Sequence, residues 1–139
     1  MKFTPQEEQT LEALCNCLIP PDDYPGAWEA GVGEYIVRLL NTDAKHLQEA
    51  YRLGLAGLEA EAQARHKQPF TALSPAEQQS LLERVEQGEV QALWIVHAPT
   101  IFNTWLHHTA EGYYSDPGNG GNRNALSWEM IGFETRQTA

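Results

Sequence analysis

The sequence predicts an all-α protein, a single-domain helical bundle of about five helices over residues 1–139 with a long Gly/Asn-rich C-terminal loop. Three observations predict it. Apolar residues recur at i, i+3, i+4 and i+7 along most of the chain. Two Thr/Ser-Pro-x-Glu starts and a glycine stop mark helix ends. No β-alternation of useful length, no internal repeat and no dividing linker interrupts the pattern.

The first helix opens at Thr4-Pro5-Gln6-Glu7. Thr4 suits the N-cap, Pro5 takes the tolerated first position, and Glu7 completes a capping box. Leu11, Leu14, Cys15 and Leu18 form its apolar stripe, and Pro20-Pro21 ends it by removing amide donors. The run Pro20 to Gly26 has turn chemistry throughout. A second helix is expected from about Ala27 or Trp28 to Leu40, striped by Val32, Tyr35, Ile36, Leu39 and Leu40. Asn41-Thr42-Asp43 separates it from a third, to roughly Arg65, striped by Leu47, Tyr51, Leu55, Leu58 and Ala62. Ser74-Pro75-Ala76-Glu77 starts a fourth, which Gly88 ends. The fifth stretch, Glu89 to Glu111, is apolar nearly all round in its first half, the mark of a central helix covered by neighbours. Pro99 is expected to kink or split it. Trp94, Ile101, Trp105 and Thr109 fall close to one face. Gly112 to Asn124 then turns to glycine, asparagine and tyrosine, and Trp128, Met130, Ile131 and Phe133 give a short apolar tail.

Nine basic against 19 acidic side chains leave a formal charge of −10. Such a surface repels phosphate backbones and anionic lipid, so neither nucleic acid nor a membrane surface is an expected partner. The longest apolar-rich stretch, Ala92 to Phe102, has eleven residues and is too short to span a bilayer. Met1-Lys2-Phe3-Thr4-Pro5 reads as a helix start without a basic region and apolar run, so the chain as written is expected to be cytoplasmic.

Candidate chemistry is sparse. Cys15 and Cys17 diverge by about 200° around a helix, which suits two buried thiols better than a disulfide or a shared metal. His107 and Glu111 stand at i, i+4 and are expected to pair or cap near the helix end. His97 and His108 share a similar face but lie ~16 Å apart along a helix, too far to share an ion. His97 is expected to be a satisfied core histidine. No G-x-S-x-G, H-E-x-x-H, phosphate loop or dinucleotide fingerprint occurs, and no C-x-x-C-H haem attachment. No catalytic, cofactor-binding or metal-binding residue is therefore predicted in this chain.

The stretch Glu111 to Asn124 is different. Tyr113, Tyr114, Asp116, Gly120, Gly121, Asn122 and Arg123 supply many donors and little apolar anchoring. One reading is a contact surface, since tyrosine and arginine are favoured interface anchors. The other is a structural tie, with Asp116 and the asparagines holding the loop's own turns. Trp128 and the Asp22-Asp23-Tyr24 turn complete the candidate contact residues. A pocket around Tyr113, Tyr114, Asp116 and Arg123 would instead make the chain a small ligand-binding protein or enzyme.

Three runs resemble a known family. Thr109-Ala110-Glu111-Gly112-Tyr113-Tyr114-Ser115-Asp116-Pro117, Gly120-Gly121-Asn122-Arg123-Asn124 and Trp128-Glu129-Met130-Ile131-Gly132-Phe133 are similar to the C-terminal signature of gluconate 2-dehydrogenase subunit 3. Leu18-Ile19-Pro20-Pro21-Asp22-Asp23-Tyr24-Pro25-Gly26-Ala27 with Glu29-Ala30-Gly31-Val32 resembles its opening motif. Phe70, Leu73-Ser74-Pro75 and Glu77-Gln78 fit its middle. The resemblance implies a non-catalytic accessory subunit of a large flavoprotein dehydrogenase of the glucose–methanol–choline class, often with a cytochrome c subunit. It implies FAD in that partner, no cofactor here, and a role in maturing or exporting a sugar or sugar-acid dehydrogenase. Family resemblance also implies a periplasmic destination, usually through a twin-arginine leader. This chain departs there, because it has no Arg-Arg pair and its first arginine is Arg38.

Overall fold

The computed structural model describes residues 1–21 and 25–114. Among them, five α-helices form and no strand does: α1 Pro5–Leu18, α2 Val32–Leu40, α3 Gln48–His66, α4 Pro75–Gln87 and α5 Ala98–Tyr114. Single 3-10 turns at Lys45–Leu47 and Phe70–Ala72 lead into α3 and α4. The bundle class is as predicted.

Local chemistry sets the clearest boundaries. The Thr4 hydroxyl accepts from the Glu7 amide at 3.1 Å while the Glu7 carboxylate accepts from the Thr4 amide at 2.8 Å. Ser74 and Glu77 repeat the exchange at 3.1 and 2.9 Å. Gly88 closes α4 at φ 78°, a conformation that suits a residue without Cβ.

Three expected boundaries move. α2 begins at Val32 rather than Ala27 or Trp28, because Gly31 turns left-handed at φ 97° and residues 27–31 form a separate turn. There Trp28 lies across Gly33, whose absent Cβ leaves room for the indole. α3 begins at Gln48, whose side-chain amide donates to the Leu40 carbonyl at 2.6 Å. The largest correction concerns residues 89–97, which are not helical. Pro99 sits in the first turn of α5, where its missing amide would have had no partner, so it starts the helix instead of kinking it. Trp94 is consequently not on α5.

α5 packs on all four other helices and is the central element. Its inward stripe is Ile101, Phe102, Trp105, Thr109 and Tyr113. Leu11, Leu14 and Cys15 of α1, Ile36 and Leu40 of α2, Tyr51, Leu55 and Leu58 of α3, and Leu81, Leu82 and Val85 of α4 complete the core. Two small residues let α3 carry large rings: a Cβ on Gly54 would meet Trp105 at 2.8 Å, and one on Gly57 would meet Trp94 at 2.5 Å.

Gly57→Ala therefore has an effect whose sign depends on Trp94. With Trp94 present the added methyl displaces a half-buried indole, and a loss of about 1–3 kcal/mol is expected. In a Trp94→Ala background the obstruction is gone, and alanine's better helix propensity should stabilise by about 0.5–1 kcal/mol. Denaturant melts of the four proteins measure both values, and the same sign in both backgrounds would refute the packing account.

Candidate partner-binding surface

The most connected polar side chain is Glu61, 0% exposed in the interior-facing wall of α3. Its carboxylate accepts from Arg65 Nε at 2.7 Å, from the Gln91 and Ala92 amides at 2.8 and 3.0 Å, and from Trp94 Nε1 at 3.0 Å. Burial pushes the carboxyl up, but the Trp94, Gln91, Ala92 and Arg65 donors together outweigh it and hold it below the ordinary carboxylate range. Arg65 also donates to the Glu89 carbonyl, and Arg84 pairs with the Glu89 side chain at 2.9 Å.

This clamp decides how residues 89–97 lie. Val90, Ala92, Trp94 and Val96 are half-buried against the bundle, while Gln91, Leu93, Ile95 and His97 alternate outward. Leu93 is 89% and Ile95 76% exposed. Sequence reading missed this ledge. Its signal is the stretch of ten residues between a helix-ending glycine and a helix-starting proline, with inward and outward positions at period two.

Of the predicted contact residues, Tyr113 and Tyr114 lie within the described chain. Tyr113 is a correction: it is 0% exposed, and its hydroxyl donates to the Pro25 carbonyl at 2.9 Å. It belongs to the inward stripe of α5 and cannot serve as an exposed anchor. Tyr114 is half-buried, edge-on to Tyr113 at 5.1 Å between ring centres. The Tyr113–Pro25 bond brings the end of α5 beside the residues following position 24. The Ala27 amide donates to the Ile19 carbonyl at 2.9 Å and the Trp28 amide to Asn16 at 3.2 Å, fixing that junction. Asp22, Asp23, Tyr24, Asp116, Gly120, Gly121, Asn122, Arg123 and Trp128 lie outside the described residues.

The candidate titratable groups fall differently from expectation. His97 is exposed rather than interior, with Nδ1 2.8 Å from Thr100 Oγ1 at the start of α5. His108 is the inner histidine: its Nδ1 lies 2.7 Å from the Tyr51 hydroxyl, and the two rings stack. Burial lowers the His108 pKa, with Glu111 opposing and His107 assisting. Glu111 accepts from the Tyr35 hydroxyl at 3.3 Å instead of pairing with His107. Burial foremost, and then Glu111, push Tyr35 up to about 12. Cys15 is interior, and burial raises it to about 12 despite a 3.9 Å contact with Thr109. Cys17 is half-buried rather than buried and donates to Gln78 at 3.3 Å, with burial raising it to about 11. Among the described residues no three His, Cys, Asp or Glu side chains converge, and no helix is long and apolar enough to cross a membrane.

Neither Tyr113 nor Tyr114 lines any of three recesses on the described surface. The largest, about 710 Å³, runs between α1 and α4 and includes Glu12, Asn16, Cys17 and Gln78. A smaller one of about 280 Å³, beside the ledge, gathers Arg65, His66, Arg84 and Gln91.

Fold and surface together define a class: a small helical bundle, organised about one central helix, that holds an apolar ledge outward by a buried carboxylate. The chain belongs to the gluconate 2-dehydrogenase subunit 3 family, whose model matches residues 5–134. No curated protein and no solved structure matches it.

Proposed function

We propose that this chain is a non-catalytic accessory subunit that binds a flavin-dependent dehydrogenase of the glucose–methanol–choline type and helps it mature. The family match over residues 5–134 carries the reading, because the family is defined as a subunit of a dehydrogenase. The structure supports it with an apolar ledge held rigidly in solvent, an arrangement that monomeric proteins seldom keep unless a partner covers it. On this reading FAD belongs to the large subunit, which oxidises a sugar or sugar acid, and a cytochrome c subunit completes the assembly. On the same reading Asp22, Asp23, Tyr24, Asp116 and Arg123 supply polar contacts to the partner chain.

Co-expression with its cognate dehydrogenase chain tests this. The expected result is co-purification, with more flavin per dehydrogenase chain than when the dehydrogenase is made alone, while the accessory chain by itself is colourless. Arg123→Ala should weaken retention without moving the melt by more than about 0.5 kcal/mol. Flavin or one equivalent of metal on the isolated chain, or no association at all, would overturn the reading.

A further inference from the structure

We propose that Leu93 and Ile95 are the apolar anchors by which this subunit docks on the dehydrogenase chain, with Arg84, in the recess that Gln91 of the same segment lines, receiving a carboxylate of that chain; this rests on the accessory-subunit reading. The two side chains are the most exposed large apolar groups described, at 89% and 76%. Among the described residues nothing covers them. The inward positions of the same segment are filled by Val90, Ala92, Trp94 and Val96, so a one-residue slip would bury Leu93 and Ile95 only by expelling Trp94 and Val96. Glu61 blocks the slip, because it holds the Gln91 and Ala92 amides and the Trp94 indole at once. The segment that carries the anchors is thus tied to the bundle on both sides of Leu93 before any partner arrives, which lowers the backbone entropy lost on binding.

The backbone points the same way. No backbone hydrogen bond among the described residues uses the amide or carbonyl of Leu93, Trp94, Ile95 or Val96.

Charge selects the occupant. A second copy would bring a further −10 to the contact, and like charge opposes self-association. The recess that Gln91 lines carries Arg65, His66 and Arg84, of which Arg65 and His66 face Glu61 and Glu77 of this chain. Arg84 uses one nitrogen on Glu89 and keeps a side chain 54% exposed, with further donors for an incoming carboxylate. The complementary surface is therefore an apolar pocket edged by carboxylate on a different protein.

The test uses the full chain co-expressed with the dehydrogenase chain, and compares wild type, Leu93→Ser/Ile95→Ser and Arg84→Glu. The double variant should bind at least about tenfold more weakly, since a few central apolar anchors dominate an interface. Arg84→Glu should weaken binding about three- to tenfold and flatten its salt dependence. The double variant should keep the wild-type melting temperature, because its altered groups are exposed, while Arg84→Glu, which loses the exposed Glu89 pair, should lower stability by no more than about 1 kcal/mol. Wild-type affinity in the double variant overturns the inference and leaves the accessory-subunit reading intact. Self-association of the wild type that the double variant abolishes, with dehydrogenase binding unchanged, also overturns it, since the ledge would then seat a second copy. A wild-type chain that never binds the dehydrogenase overturns the accessory-subunit reading and this inference with it, and the wild-type control alone identifies that case.

Discussion

Glu61→Ala is expected to lower stability by about 3–5 kcal/mol, the range seen when one partner of a buried charge pair is removed. For a chain of this size that corresponds to a melting temperature roughly 10–15 °C lower. The physical reason is what remains. Alanine leaves the Arg65 guanidinium, two backbone amides and an indole N–H without the acceptor they share. Glu61→Gln, which keeps the shape but turns an NH₂ toward donors, should fall between the two. The pH dependence has a defined sign. The folded state holds the carboxyl below its ordinary value, so the ionised form is the stabilising one. Its contribution is fully present above the unfolded carboxylate pKa of about 4.3 and is lost as pH falls through the lower folded value. The exposed Glu77 shifts the same way, through the Ser74 amide first, and adds to the acid sensitivity. Thermal melts from pH 7 to pH 3 should therefore show the gap between wild type and Glu61→Gln narrowing as pH drops. A gap that widens in acid, or a Glu61→Ala melt within about 2 °C of wild type, would show that the clamp does not hold the ledge.

The helices that sequence reading located well carry their instructions locally. Thr4-Pro5-Gln6-Glu7 and Ser74-Pro75-Ala76-Glu77 specify their starts through side chain-to-backbone bonds across three residues, and Gly88 specifies its stop through its own φ. Residues 89–97 carry no such instruction. Their apolar run fits a buried helix, and the groups that hold them extended are on Glu61, 30 to 33 residues earlier. Periodicity cannot show a carboxylate that satisfies amides across the fold. Pro99 was the available sign, because a proline opens a helix more readily than it interrupts one. Tyr113 was legible and misread: it lies four residues after Thr109 and eight after Trp105, on the stripe that the apolar residues of α5 define. The glycine- and asparagine-rich text around it places it inside the Glu111 to Asn124 stretch on sequence grounds. His97 leaves the interior for the same reason as the ledge, since once α5 begins at Ala98, His97 stands at its entrance.

Trp105→Ala is the second change with a large expected cost, again about 3–5 kcal/mol, here from a void at the centre of the bundle. Trp105 is 1% exposed on the helix that touches every other helix, and α3 bends no side chain into its place, because Gly54 supplies none. The neighbouring backbone is fixed on both sides, so collapse around the void is limited and the upper half of the range applies. Trp105 also has a cost in the wild type: its indole N–H is buried with no acceptor among the described residues. Trp105→Phe removes that orphan donor while keeping much of the apolar contact, and should cost about 1–2 kcal/mol, less than alanine because the void is smaller and no donor is left unpaired. The contrast between the two variants separates packing from polarity. Urea denaturation with equal slopes for all three proteins gives the comparison. If phenylalanine proved as costly as alanine, the indole N–H would have to be bonded and the unsatisfied donor would be ruled out. If alanine cost less than about 1 kcal/mol, α5 would not be the element around which the bundle is built.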